Sequence, residues 1–129
     1  LTDVSRGSTT VVIAPSNPIV SIGPLLAIGG VRDALAARRD RAVAVSPIVA
    51  GAALKGPADR MLRELGHEAS VVGVARLYAP LAATLVIDQV DADQAEAVEA
   101  EGVRCVVTDT IMRDVPRAAA LATDVLAAA

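Results

Sequence analysis

The chain has 129 residues, of which 53% are hydrophobic and 21% charged, with a net charge of −3 and a single aromatic residue, Tyr78. That length suits one α/β domain able to bury about two-thirds of the surface its unfolded chain would expose. The missing aromatics and basic footprint argue against a nucleic-acid partner, and no apolar run reaches the roughly 18 to 20 residues of a membrane span.

The opening, Leu1 followed by TDVSRGST, has the texture of a loop already under way, so part of a longer parent chain is expected. Nothing in it resembles a signal peptide, and a cytoplasmic protein is the expectation. Residues 10–13 then give a β-branched run without polar alternation, and 11–14 are the first predicted strand, in the pattern of a parallel strand buried on both faces. Pro15 stops it. Pro15 and Pro18 stiffen the loop that follows, while Ser16, Asn17 and Ser21 supply short polar side chains. Ser21 is expected to cap the next helix, whose start would offer free N–H groups to phosphate oxygens. Gly29 and Gly30 interrupt that helix, and residues 31–37 form another that closes on Arg38, Arg39 and Arg41.

Residues 42–45 are the second predicted strand, feeding the loop SPIVAGAALKGPAD over 46–59. Pro57 opens a helix that buries Ala58, Met61, Leu62 and Leu65 and ends at Gly66. His67, on the connecting turn, reads as exposed or locally bonded rather than catalytic. Ser70 caps a helix whose stripe of Val71, Val74, Ala75 and Tyr78 is core packing rather than a cofactor box. Residues 84–87 are the third strand. Asp88 and Asp91 follow it; a metal pair is conceivable there, but turn formation and capping are the cheaper readings. An acidic, solvated helix over 91–101 ends at Gly102, and 103–107 is the fourth strand. Cys105 within that strand reads as a small buried side chain. After the loop TDTIMRD, Pro116 opens a last helix. The whole is an α/β fold, a Rossmann-like parallel sheet with helices on both faces and right-handed crossovers. Ligands of such sheets gather at the carboxyl ends of the strands, where 15–21, 46–59 and 108–114 lie.

Those loops carry a resemblance. IAPSNPIVSIGPLLAIGGVRDAL, VAVSPIVAGAALKGPADRML, LYAPLAATLVID and GVRCVVTDTIM occur in an order and spacing similar to the C-terminal half of the 2-phospho-lactate transferase family of coenzyme F(420) biosynthesis. The SPI-x-x-G-x-x-L-K-G-P-A-D string is the most discriminating, since no generic nucleotide fold needs it. The resemblance implies transfer of a 2-phospho-lactate or phosphoenolpyruvate-derived unit from a GDP-activated donor to the deazaflavin FO, with GMP leaving and magnesium assisting. It places the catalytic, metal-binding acids in the N-terminal half, so these residues would carry the nucleotide side of the cleft and no metal ligands. It leaves a homodimer open.

Phosphoryl chemistry asks the protein mainly to position substrates and stabilise charge. Ser16, Asn17, Ser21 and Ser46 are the candidate donors to phosphate or ribose oxygens. Lys55, the only lysine, is the candidate diphosphate clamp beside the flexible Gly51 and Gly56, with a surface lysine as the alternative. Asp59 either meets a guanine edge or a metal-bound water, or occupies the first turn of its helix. Asp109 and Thr110 are candidates on position. A non-enzymatic reading stays open beside this one: the sugar-nucleotide-binding regulatory module of a sister family, from which Lys55 and PSNP are the distinguishing features.

Overall fold

The computed structural model describes residues 10–53 and 56–129. Strand β1 (Val11–Ile13) leads through a π-helical turn (Pro18–Ile22) into helix α1 (Gly23–Leu26), then helix α2 (Val31–Ala37) and strand β2 (Ala42–Val45). A hairpin of β3 (Ile48–Val49) and β4 (Ala52–Ala53) precedes helices α3 (Ala58–Glu64) and α4 (Val71–Tyr78). Strand β5 (Thr84–Asp88), a 3₁₀ stretch (Gln89–Gln94) with helix α5 (Ala95–Glu99), strand β6 (Arg104–Thr108) and helix α6 (Val115–Ala127) complete the chain.

The main sheet is parallel throughout, in the order β1-β2-β5-β6. Each strand is laid down on the same side of its predecessor. Right-handed crossovers therefore send every connecting helix to one face, and side-chain alternation confirms it. Ala42, Ala44, Leu85 and Ile87 point into a core shared with Leu62 of α3, Val71, Val74, Ala75 and Tyr78 of α4, and Val98 of α5. Val43, Val45 and Val86 point the other way, onto Leu121 and Val125 of α6 alone. The expected two-faced covering is present but uneven.

That unevenness corrects the reading of β1. Its residues were expected to be buried on both faces, yet only Ile13 is buried and Val12 is 45% exposed. Among the described strands β1 is an edge, and the single helix α6 is too narrow to roof the second face as far as Val12. The other main-sheet strands fall where the β-branched runs predict them. No single helix among the described residues is long and apolar enough to cross a membrane.

Local chemistry explains the helix ends. The Gly73 N–H donates to Ser70 Oγ at 3.1 Å, as the cap signal requires. Helix α3 ends in a Schellman arrangement, with His67 N–H donating to the Leu62 carbonyl at 2.8 Å and Gly66 N–H to that of Arg63 at 3.0 Å. Gly66 takes the required positive φ of 82°. Leu65, expected in the core, is 58% exposed because the helix has already ended at Glu64. Asp114 caps α6 through the Arg117 N–H at 2.8 Å.

Two expectations about helix starts do not survive. Ser21 caps nothing: Asn17 does, its Oδ1 accepting from the amides of Ile19 (2.8 Å) and Val20 (3.3 Å), with Pro18 behind it fixing φ at the first helical position. Ser21 lies inside the turn, its own N–H spent on the Asn17 carbonyl at 3.0 Å. Likewise the helix expected over 91–101 is broken. Asp91 has non-helical φ and ψ of −102° and 16°, and the α-helical part is Ala95–Glu99. Val98 on it is fully buried, so this segment is not simply solvated.

Arg39 is another departure from a basic helix end. Its Nε donates to the Ala79 carbonyl and its Nη2 to the Gly102 carbonyl, both at 2.6 Å, so one guanidinium ties the turns preceding β2, β5 and β6. These charge-assisted bonds align the amino ends of the three strands, and hence the register with which their carboxyl ends meet.

Candidate nucleotide-side site at the carboxyl ends of the strands

The parallel register leaves β5 projecting beyond β2, so that Asp88 stands opposite Thr108 at the mouth of the sheet. Asp88 is 1% exposed. One carboxylate oxygen accepts from the Thr110 amide at 2.8 Å and the Thr110 hydroxyl at 3.1 Å, and the other from the Val90 amide at 3.1 Å. Asp91, 3% exposed, accepts from the Ala50 amide at 3.0 Å and from Gln94 Nε2 at 3.2 Å. Both acids fasten loops to the end of β5. Their lone pairs face N–H and O–H donors, which a cation would have to displace. Among the described residues no group of three or more His, Cys, Asp or Glu could hold a metal ion, so these residues do not fit a metal centre. The two acids belong to turn formation and capping.

Of the residues singled out in the sequence, Asn17 is brought onto the helix that carries Asp59, though it meets Met61 there and not Asp59. Asn17 Nδ2 meets Met61 Sδ at 3.5 Å, seating the PSNP loop on helix α3, whose first turn carries Asp59. Asp59 pairs with Arg63 one turn on, at 3.6 Å, and its charge suits the helix start. Ser16 is half-buried on the same loop and Ser21 is exposed. Ser46 stands apart. It is 2% exposed, and its hydroxyl bonds the amide and carbonyl of Ile48, both at 3.1 Å, closing the turn into the hairpin. Gly56 has φ of 73° in open space, a conformation that favours glycine before Pro57. Lys55 lies outside the described residues. His67 is exposed, away from these loops.

The third loop closes the arrangement. Pro15 and Met112 line one apolar cleft of about 280 Å³ with Val12, Val45 and Leu121, so loops 15–21 and 108–114 adjoin on the α6 side. Asp109 pairs with Arg113 at 2.8 Å. Desolvation pulls its carboxyl upward, but the Ile111 amide and Arg113 together outweigh this and hold it below the usual carboxylate range. Loop 15–21 is therefore the hub: α3 adjoins it on one side, and the loop after β6 on the other.

Sequence reasoning missed the hairpin between β2 and α3. Its strands are two residues each, too short for periodicity to register, and Ala-Gly rather than Asn-Gly stands at its tip.

A parallel sheet with helices on both faces and polar loops gathered at its carboxyl ends is a Rossmann-like α/β domain, the class in which ligands bind at that edge. The particular family follows from comparison. The family model of 2-phospho-L-lactate transferase CofD matches residues 5–126, and the chain belongs to that family. It is 43% identical over 122 residues to a phosphoenolpyruvate transferase of Streptomyces griseus, covering 93% of this chain and 38% of that protein. It is 36% identical over 121 residues to the 2-phospho-L-lactate transferase of Methanocaldococcus jannaschii, covering 94% and 37%. A 2-phospho-L-lactate transferase of Methanosarcina acetivorans is 38% identical over 112 residues. The chain spans less than two-fifths of the length of these relatives.

Proposed function

We propose that this chain carries the nucleotide side of a transferase that moves a 2-phospho-lactate or phosphoenolpyruvate-derived unit from a GDP-activated donor to the deazaflavin FO, releasing GMP, in coenzyme F(420) biosynthesis. The observation that supports it most is the seating of the PSNP loop on the helix that begins within KGPAD, through Asn17 and Met61. Two strings that share no local reason to meet are thereby held on one rim. In this reading Ser16 and Lys55 face the diphosphate, and Asp59, free to exchange its weak partner Arg63, meets the guanine edge or a bound water. Exposed ion pairs of this kind contribute about 0 to 1 kcal/mol, so exchanging the partner costs little. The Ser46 hydroxyl is engaged by Ile48, while Asn17, whose Oδ1 caps its own turn, keeps an Nδ2 N–H for a phosphate or ribose oxygen.

Magnesium, when bound, would neutralise diphosphate charge. The described residues hold no cluster of three or more ligating side chains for it, and we place its ligands in parts of the parent outside this span. A cytoplasmic location and a homodimer belong to the same proposal. What these residues contribute is binding and orientation of the donor, which supplies much of the rate in transfers at phosphorus.

Steady-state kinetics on the full-length protein, with donor and acceptor varied separately, test the assignment. Lys55→Ala should weaken donor use roughly ten- to a hundredfold, the worth of one charge-assisted contact, and leave the deazaflavin dependence little changed. An unaltered donor dependence returns Lys55 to the surface. An effect confined to the deazaflavin means that this loop lies on the other side of the cleft.

A further inference from the structure

Strand β1 has no neighbour on one side among the described strands. Natural sheet edges are blunted by charges, prolines or bulges. The other outer strand, β6, begins at the exposed Arg104, whereas β1 is Val-Val-Ile, the composition of a strand enclosed on both faces. Val12 nevertheless stands 45% exposed. It opens onto the cleft of about 280 Å³ that reaches from Pro15 and Val45 to Leu121 and Leu126, and every residue lining that cleft is apolar. Met112 and Leu126 on its walls are themselves 52% and 60% exposed. Edge and cleft share Val12 and make one uncovered apolar surface.

Chirality says what such a surface accepts. Within this span the strands are laid down from β1 towards β6, and right-handed crossovers put α3, α4 and α5 on one face. Strands laid down the other way, outward from β1, would send their connecting helices to the opposite face, which α6 covers alone among the described elements. The parent has the length for it. This span covers 38% of the Streptomyces griseus relative and 37% of the Methanocaldococcus jannaschii one, so more than three-fifths of each lies outside it. A second copy fits less well, because a two-fold axis beside β1 pairs the strand with itself antiparallel, against the parallel order of the rest of the sheet.

We propose that the part of the parent chain outside this span docks here: one of its strands pairs in parallel with the free edge of β1, and a crossover helix fills the cleft beside Val12, Met112 and Leu126. β1 is then the strand at which the order of the sheet reverses. Loop 15–21 stands at that switch point, where ligands of open α/β sheets bind. The proposal requires neither a particular nucleotide nor the transfer step.

The test uses the full-length protein with Cys105→Ala as background. Val12→Cys and Leu65→Cys are made separately, and alkylation of each introduced thiol is timed by mass spectrometry of its own peptide. Leu65, 58% exposed at the end of α3 on the other face, is the reference. Val12→Cys should react about tenfold or more slowly than Leu65→Cys, and equally slowly on dilution, as a covered site does. A smaller difference overturns the proposal, and so does protection that fades on dilution, which belongs to a second copy. Hydrogen exchange in the unsubstituted protein reads the same edge without a variant: amides 11–13 should all exchange slowly, and fast exchange at alternate amides marks a free edge and overturns the pairing. Photo-crosslinking from benzoylphenylalanine in place of Leu126 identifies the occupant. A link to a peptide of the same molecule outside this span is expected; a link within the span, or to a second molecule, overturns the assignment.

Discussion

Replacing Gly73 by alanine perturbs a contact whose size can be read from distances. Gly73 sits in the first turn of α4, at the position whose amide Ser70 caps. An added Cβ would lie 1.9 Å from the Glu68 carbonyl oxygen and 2.8 Å from its carbon. Both are backbone atoms, so no side chain can swing away, and the chain at Glu68 must retreat by about 1.1 Å to reach even the closest separation real Cβ atoms tolerate. Overpacking of this kind costs about 1 to 3 kcal/mol, and pulling the turn apart forfeits a cap worth about 1 kcal/mol. A total of about 2 to 4 kcal/mol corresponds to a fall in Tm of about 4 to 8 °C at the roughly 2 °C per kcal/mol of a larger chain. Thermal unfolding of the full-length protein, followed by circular dichroism, reads it. Gly29→Ala is the control, since nothing lies within 4 Å of its added Cβ, and it should stay within about 0.5 kcal/mol of wild type. If Gly73→Ala melts with Gly29→Ala, the close approach of Glu68 to α4 is wrong and with it the packing of the turn that follows α3.

Tyr78 is 3% exposed and its hydroxyl has no partner among the described residues. Tyr78→Phe should therefore hold or raise the denaturant midpoint, by up to about 1 kcal/mol of stability, and a loss larger than that would reveal a hydrogen bond to the phenol. Cys105, expected to be buried, is only half-buried, yet partial desolvation first and Glu99 second push its thiol from 9.0 up to about 11. The native thiolate fraction near neutrality then falls about a hundredfold, so alkylation should be about that much slower than in unfolded protein; equal rates would contradict the burial. Because the folded thiol holds its proton more tightly than the unfolded one, its contribution to stability is full below pH 9 and is lost as pH rises towards 11.

Much of the frame was legible because it depends on one-dimensional patterns. β-branched runs mark β2, β5 and β6, while Ser70, Gly66 and Gly102 mark helix ends through chemistry contained within a few residues. The misses depend on what lies across the sheet. Val12 reads as core, yet at an edge strand under one narrow helix it is exposed. Asn17 and Ser21 are equally good capping residues in isolation, and Pro18 directly after Asn17 was the local signal that decided between them. The pairings of Asp91 with Ala50 and of Arg39 with Ala79 and Gly102 join positions tens of residues apart. No window of sequence could show them. At the candidate site the string could be recognised, but not which of its polar groups were already engaged: Ser46 bonds within its own turn, Asn17 caps its turn and meets Met61, and Asp59 pairs with Arg63.

If the loops gathered around 15–21 serve a guanine nucleotide, binding alone should show it. Isothermal titration calorimetry of the full-length protein with guanosine diphosphate and, separately, uridine diphosphate addresses it without invoking the transfer step. Guanosine diphosphate should bind saturably, at least tenfold tighter than the uridine analogue, a preference of about 1.4 kcal/mol or more. Equal affinity for the two, or no binding of either, would contradict it and leave the sugar-nucleotide-binding module or a purely structural domain as the better description of these residues.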